Sequence, residues 1–247
     1  MDIALYVVTT FVLCFTGTVL QASTGFGMAL ISMAILPLVL PLDLTLIIIM
    51  WIGGYTAAVI FIKIRKHFDF KLIRVPLFTM ICARFLGIWL VSGFLDIKLI
   101  EIVLGITLLI LSVYLLFFSE KLHIKPTASN GLIAGVISGL MGGMFNISGP
   151  PMVVYMLGVT KDKMVFSACL QFTFFIGALS NIVFRWINGS LLPEIGIPAV
   201  LACVLSGIIA GYIGAHIGVS LLKKIDRKYL MIGVCCVMAF AGLIYII

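Results

Sequence analysis

The chain has 247 residues, 63% of them hydrophobic and only 10% charged, with a net charge of +7 and a mean hydropathy of +1.32. A soluble domain carries about 25% charged residues, and in water this chain would expose more apolar surface than a monomer tolerates. The basic residues sit in short segments beside apolar runs, where they set topology and meet anionic headgroups, so the charge is not that of a nucleic-acid binder.

In a bilayer the useful unit is the span, about 20 apolar residues for ~30 Å of hydrocarbon. Apolar runs at 3–20, 27–40, 43–62, 73–93, 98–118, 131–145, 150–160, 163–185, 194–221 and 228–247 predict about ten helical segments. Some are too short to cross alone. The expected fold is an all-α polytopic membrane protein. Met1–Leu20 lacks a basic leading stretch and runs on into more apolar sequence, so it does not read as a targeting signal.

The first run ends at "QASTGFG" (21–27), and a matching disruption, "MGGMFNISGPP" (141–151), opens the second half. The run after each is short: 150–160 rises only ~16 Å as helix, about half the hydrocarbon thickness. This predicts two hairpins whose turns lie inside the membrane, tolerated only where protein or a wet cavity satisfies the backbone. Ser23 or Thr24, and Ser148, are expected N-caps, with Pro150 in a first helical turn. Two helix N-termini would then face the protein centre, which favours an anion.

Between these motifs the charges are ordered. If the basic segment Lys63–Arg74 is cytoplasmic, then Lys121, Lys125, Lys161, Lys163, Lys223, Lys224, Arg227 and Lys228 fall on the same side. Only Lys98 and Arg185 fall outside, and both termini are expected outside. Arg84 remains, about ten residues or ~15 Å of helix beyond Arg74. All nine acidic residues (Asp2, Asp43, Asp69, Asp96, Glu101, Glu120, Asp162, Glu194 and Asp226) lie in loops or within about a turn of one. A charge at depth costs at least ~2.5 kcal/mol. Arg84 therefore needs a transported anion, carbonyls freed at the broken helices, or Glu101.

The halves resemble each other. "ARFLGIWLV" (83–91) aligns with "AGYIGAHIG" (210–218), Asp96 and Lys98 with Asp226 and Lys228, Pro76 with Pro198, and Gly17 with Gly135. The basic segment 63–74 corresponds to charge-poor 185–194, and charge-poor 94–98 to basic 221–228. Related folds with opposite charge bias imply inverted-topology repeats, as in many secondary transporters. The expected organisation is a first repeat over 1–120, a cytoplasmic linker over 121–130 and a second repeat over 131–247.

In the second half, Gln171, Ala178 and Arg185 share a helical stripe, with Asn181 beside it. Gln171 and Asn181 are candidates for substrate hydrogen bonds or for interhelical ones. His216 is a candidate for proton coupling or for packing. Trp51, Trp89 and Trp186 are read as interfacial anchors, although Trp51 falls mid-run. Cys14, Cys82, Cys169, Cys203, Cys235 and Cys236 lie in apolar runs without CxxC spacing and read as packing residues. No metal site or cofactor is expected.

"GTVLQASTGFGMALI" followed by Pro37, and "GVISGLMGGMFNISGPPMVVYML", resemble the paired glycine-rich signatures of the sulfite exporter TauE/SafE family. The resemblance covers nearly the whole chain. It implies a permease of the bacterial cytoplasmic membrane that moves sulfite, organosulfonates or other small organic anions. Asn146 and Ser148 stand where that family often has glycine.

The expected function is secondary transport of a small anion by alternating access, with the anion between the two broken motifs. Its expected contacts are Gln21, Ser23, Thr24, Gly25, Gly27, Arg84, Asn146, Ser148, Gly149, Pro150, Gln171 and Asn181. The expected partners are that anion and the bilayer, with a homodimer left open. Two alternatives stand: an anion channel, and an intramembrane serine hydrolase using Ser148 and His216, since "NISG" resembles the rhomboid nucleophile motif.

Overall fold

The computed structural model describes residues 3–93, 96–117, 127–189, 197–221 and 227–246, the side chains of 97, 221 and 227–231 apart. The expectations for Lys121, Lys125, Lys223, Lys224, Asp2, Glu120, Glu194 and Asp226 lie outside these residues, as do those for the side chains of Arg227 and Lys228 and most of the linker.

Among the described residues the chain forms ten α-helices and no strand. They are α1 (Ile3–Thr24), α2 (Met28–Ile35), α3 (Leu42–Ile64), α4 (Phe70–Gly93), α5 (Ile97–Phe117), α6 (Ala128–Phe145), α7 (Gly149–Val159), α8 (Lys163–Ile187), α9 (Ile197–Leu221) and α10 (Arg227–Ile246). Seven described helices are long and apolar enough to cross a membrane, while α2 and α7 are too short. The chain is an all-α polytopic membrane protein.

The helix ends follow from the sequence. Thr127 caps α6 by accepting from Asn130 N. Asp162 caps α8, accepting from Met164 N and Val165 N, and these bonds hold its carboxyl below the usual carboxylate range. Pro76 sits inside α4. It has no N–H for the Leu72 carbonyl four residues back, and the Tyr155 hydroxyl donates to that carbonyl at 3.5 Å.

The first break lies later than expected. Helix α1 runs on through Gln21–Thr24, and Gly27 caps α2. Ser23 and Thr24 are therefore not N-caps. Each hydroxyl bonds back to Leu20 O, at 3.0 and 2.9 Å, as Ser and Thr do in a last helical turn. The sharp turn falls on Gly25 and Gly27, at φ 96° and 125°, where a Cβ would be strained. Ser148 is the N-cap of α7, as expected, but makes no side-chain cap bond.

Two parallel helix pairs form the flanks. Helix α6 lays Gly131, Gly135, Gly139 and Gly143 along α4, from Pro76 to Ile88. Helix α9 lays Gly207, Gly211, Gly214 and Gly218 along α1, from Cys14 to Ala22. Glycine at these spacings lets backbones approach closely, which replaces the hydrophobic drive that lipid removes. Between the flanks α3 lies on α8, and α5 runs antiparallel to α10. There Gly105 meets Gly242, and Ser112 Oγ donates to Cys235 O at 2.8 Å.

Candidate functional site

The two interhelical turns meet at the protein centre. An ideal Cβ on Gly149, at the start of α7, would lie 3.4 Å from Phe26 Cβ, in the turn before α2. A cavity opens there, enclosing about 530 Å³ including its mouth. The part open to water-sized solutes is about 60 Å³, room for a few waters or one small anion. Among the described residues no acidic one lines it.

Helix α2 supplies donors. Its first intrahelical bond is Ile31 N to Gly27 O, at 3.1 Å. The N–H groups of Met28, Ala29 and Leu30 precede that bond and have no intrahelical partner, and all three residues line the cavity. Helix α7 supplies fewer. Two of its first three residues, Pro150 and Pro151, have no N–H, which leaves the Gly149 N–H and the Ser148 hydroxyl.

Arg84 adds the charge. It is 2% exposed and lines the cavity. Nη1 donates to Gly177 O at 2.9 Å, and Nη2 donates to Ser148 Oγ. Met80 Sδ lies 3.8 Å from Nη2. None of these partners is a carboxylate, Glu101 is not among them, and Nε is buried without a partner among the described residues. Because Ser148 Oγ accepts from Arg84, its own proton is left to donate. Arg84, Gly142 and Gly177 each lie fourteen residues, ~21 Å, from the start of α4, α6 and α8. The three meet at one depth. A Cβ on Gly142 would strike Ser148 Oγ and Arg84 Nη2, and one on Gly177 would lie 2.8 Å from Arg84 Nη2. The guanidinium thus occupies a seat that two glycines leave open.

The other expected residues divide between the cavity and its support. Gln21, Gly27, Asn146, Ser148 and Gly149 line the cavity with Arg84; Ser23, Thr24, Gly25, Pro150, Gln171 and Asn181 do not. Gln171 Nε2 donates to Gly25 O and its Oε1 accepts from Gln21 Nε2, both at 2.9 Å. Asn146 takes a left-handed conformation at the end of α6, φ 58°, and its Nδ2 donates to Leu46 O at 2.8 Å. Asn181 Nδ2 donates to Asn146 Oδ1 and to Gly142 O. Helix α8 therefore ties down both turns, the first through Gln171 and the second through Asn181.

Arg185 was expected outside at a span end. It is 4% exposed and donates to Gly143 O at 3.4 Å, near the end of α6. His216 is exposed on α9, with Nδ1 2.9 Å from Tyr212 O and its ring on Tyr212. The structure does not bring it to Ser148, as the hydrolase alternative requires. Sequence reasoning missed Phe26, Gly53, Gly54, Phe174 and Ala178 as cavity walls. The Gly53–Gly54 pair inside an apolar run was the available signal.

The family described as Sulfite exporter TauE/SafE matches residues 10–245. No curated protein and no solved structure matches the chain.

Proposed function

Because the chain belongs to the sulfite exporter TauE/SafE family, we propose that it is a secondary carrier of a small anion, sulfite or an organosulfonate, held between the two broken motifs. The observation that carries this reading is Arg84: a buried guanidinium with no acidic partner among the described residues, facing a cavity lined by the first turn of α2 and by Ser148. A cation and helix N-termini at one place are mutually unfavourable unless an anion joins them.

Alternating access follows from inverted repeats, α1–α5 and α6–α10. Helix pairing supports that division. Helix α4 packs on α6 as α9 packs on α1, while α3 and α5 pair with α8 and α10. The register supports it too. The 130-residue offset relating Asp96 to Asp226 turns the contact Gly105–Gly242 into Cys235–Ser112, the second close contact between α5 and α10. Arg84 departs from the symmetry. Its counterpart in the alignment is Gly211, which packs on Thr56 where Arg84 packs on Gly177. The second half has no cation at the position aligned with Arg84; its buried cation, Arg185, lies on α8.

The carrier would lie in the bacterial cytoplasmic membrane with Lys63–Arg74 inside and both termini outside. Phe61, Phe68 and Phe172 cluster between α3 and α8 beside that basic segment, with ring centroids 4.5–5.3 Å apart. Uptake of sulfite, taurine, sulfoacetate, thiosulfate and lactate into proteoliposomes tests the reading. Saturable uptake of at least one supports it, and uptake of none above empty liposomes overturns it.

A further inference from the structure

The amide polarity at Gln21 bears on which anion fits. The Gly25 carbonyl can only accept, so the Gln171 amide must turn Nε2 toward it, at 2.9 Å. That leaves Gln171 Oε1 facing Gln21, which must offer its own Nε2, also at 2.9 Å. A network of this kind is what assigns amide orientation. Gln21 is 4% exposed and lines the cavity, while Gln171 is fully buried behind it. With one Nε2 hydrogen directed at Gln171, Gln21 Oε1 is left to accept, in a side chain that lines the cavity, and no hydrogen bond from the described residues reaches it.

The cavity lining therefore includes one side-chain amide acceptor, Gln21 Oε1, among several donors. Arg84, the Ser148 hydroxyl and the N–H groups of Met28, Ala29 and Leu30 all donate. An anion with lone pairs alone satisfies these and leaves Gln21 Oε1 desolvated and unpaired, which costs about as much as a lost hydrogen bond. A site built to bond a substrate O–H or N–H rejects the analogue that lacks it.

We propose that Gln21 selects among small anions for those that also carry a hydrogen-bond donor: a hydroxyalkyl or aminoalkyl sulfonate, or a singly protonated oxyanion. The anionic oxygens lie toward Arg84, Ser148 and α2, and the donor reaches Gln21 Oε1. Gln171 is a positioning residue, which fixes the polarity of Gln21 without touching the anion. This inference rests on the anion-site reading above.

The test uses 2-hydroxyethanesulfonate and ethanesulfonate, which differ by one hydroxyl, bound to the purified full chain in detergent. The wild type should bind the hydroxylated anion about tenfold more tightly, the scale of one net hydrogen bond. Gln21→Leu should bring that ratio to about one. Gln171→Leu frees the Gln21 amide to turn its Nε2 inward, so it should lower the ratio by improving ethanesulfonate, an effect that mere loosening of the turn does not produce. It also supplies the answer if Gln21→Leu does not fold. Arg84→Gln should weaken both anions and keep the ratio. Equal affinities in the wild type, or a ratio unchanged in both glutamine variants, overturn the selection by Gln21 alone. If neither anion binds, or if Arg84→Gln leaves both affinities unchanged, the anion site itself fails and the selection with it.

Discussion

Arg84 on α4 donates to the hydroxyl of Ser148 at the tip of α7, joining residues 64 positions apart. The bond orients the serine: its oxygen accepts from the guanidinium and its proton is free for a ligand. Ser148→Ala should therefore weaken anion affinity by up to about tenfold, the scale of one ~1.4 kcal/mol bond. Titration of purified protein with the best-transported anion measures this. A serine-reactive fluorophosphonate should leave Ser148 unlabelled. Covalent labelling that vanishes in His216→Ala would mean a nucleophile, not a donor.

The seat of Arg84 gives a second prediction. A Cβ on Gly177 would meet Nη2 at 2.8 Å and Cζ at 3.1 Å, the far end of a flexible side chain. Gly177→Ala should displace the guanidinium at little cost to folding, since alanine also gains about 1 kcal/mol of helix propensity over glycine. Transport should fall several-fold with melting temperature nearly unchanged. Gly233→Ala on α10, where a Cβ meets nothing within 4 Å, is the control and should transport normally.

How much of this was legible in the sequence depends on how local the cause is. Apolar run length fixed the helices, and the Gly and Pro clusters marked both turns, because those signals act within a few residues. The exact break did not show: Ser23 and Thr24 suit a following helix as caps and a preceding one by back-bonding, and the chain turns only after them, at the positive φ of Gly25 and Gly27. The roles of Gln171 and Asn181 were not separable from the sequence alone. Gln171 serves Gly25 and Gln21 across 146 and 150 residues, and Asn181 serves Gly142 across 39. Arg185 reads as a span-end cation until the carbonyl of Gly143 is seen beside it.

The α5–α10 contact predicts stability. A Cβ on Gly105 would lie 2.8 Å from Gly242 O, and one on Gly242 would lie 2.8 Å from Gly105 O. Gly105→Ala and Gly242→Ala should each force the helices apart at about 1–3 kcal/mol, as overpacking does. Because the two share one contact, the double variant should lose less than the sum. Thermal melts in detergent read this directly; additive losses would show that the helices do not meet there.

Topology is tested by labelling. The charge bias places Lys63–Arg74 in the cytoplasm. On a background without the native cysteines, a cysteine at position 66 in spheroplasts should react with an impermeant thiol reagent only after permeabilisation. Reaction in intact spheroplasts would reverse the orientation and undo the charge argument for inverted repeats.

The most direct test of the anion site is transport by Arg84 variants, measured beside thermal stability with and without the transported anion. Arg84→Gln keeps a donor and removes the charge. Arg84→Lys keeps the charge and loses the planar fork that reaches both Gly177 O and Ser148. The account predicts that Arg84→Gln folds but transports little or nothing, and that the anion no longer raises its melting temperature. Arg84→Lys should retain part of both. Normal transport by Arg84→Gln, or failure only because that variant no longer folds, would contradict it and make Arg84 a structural residue.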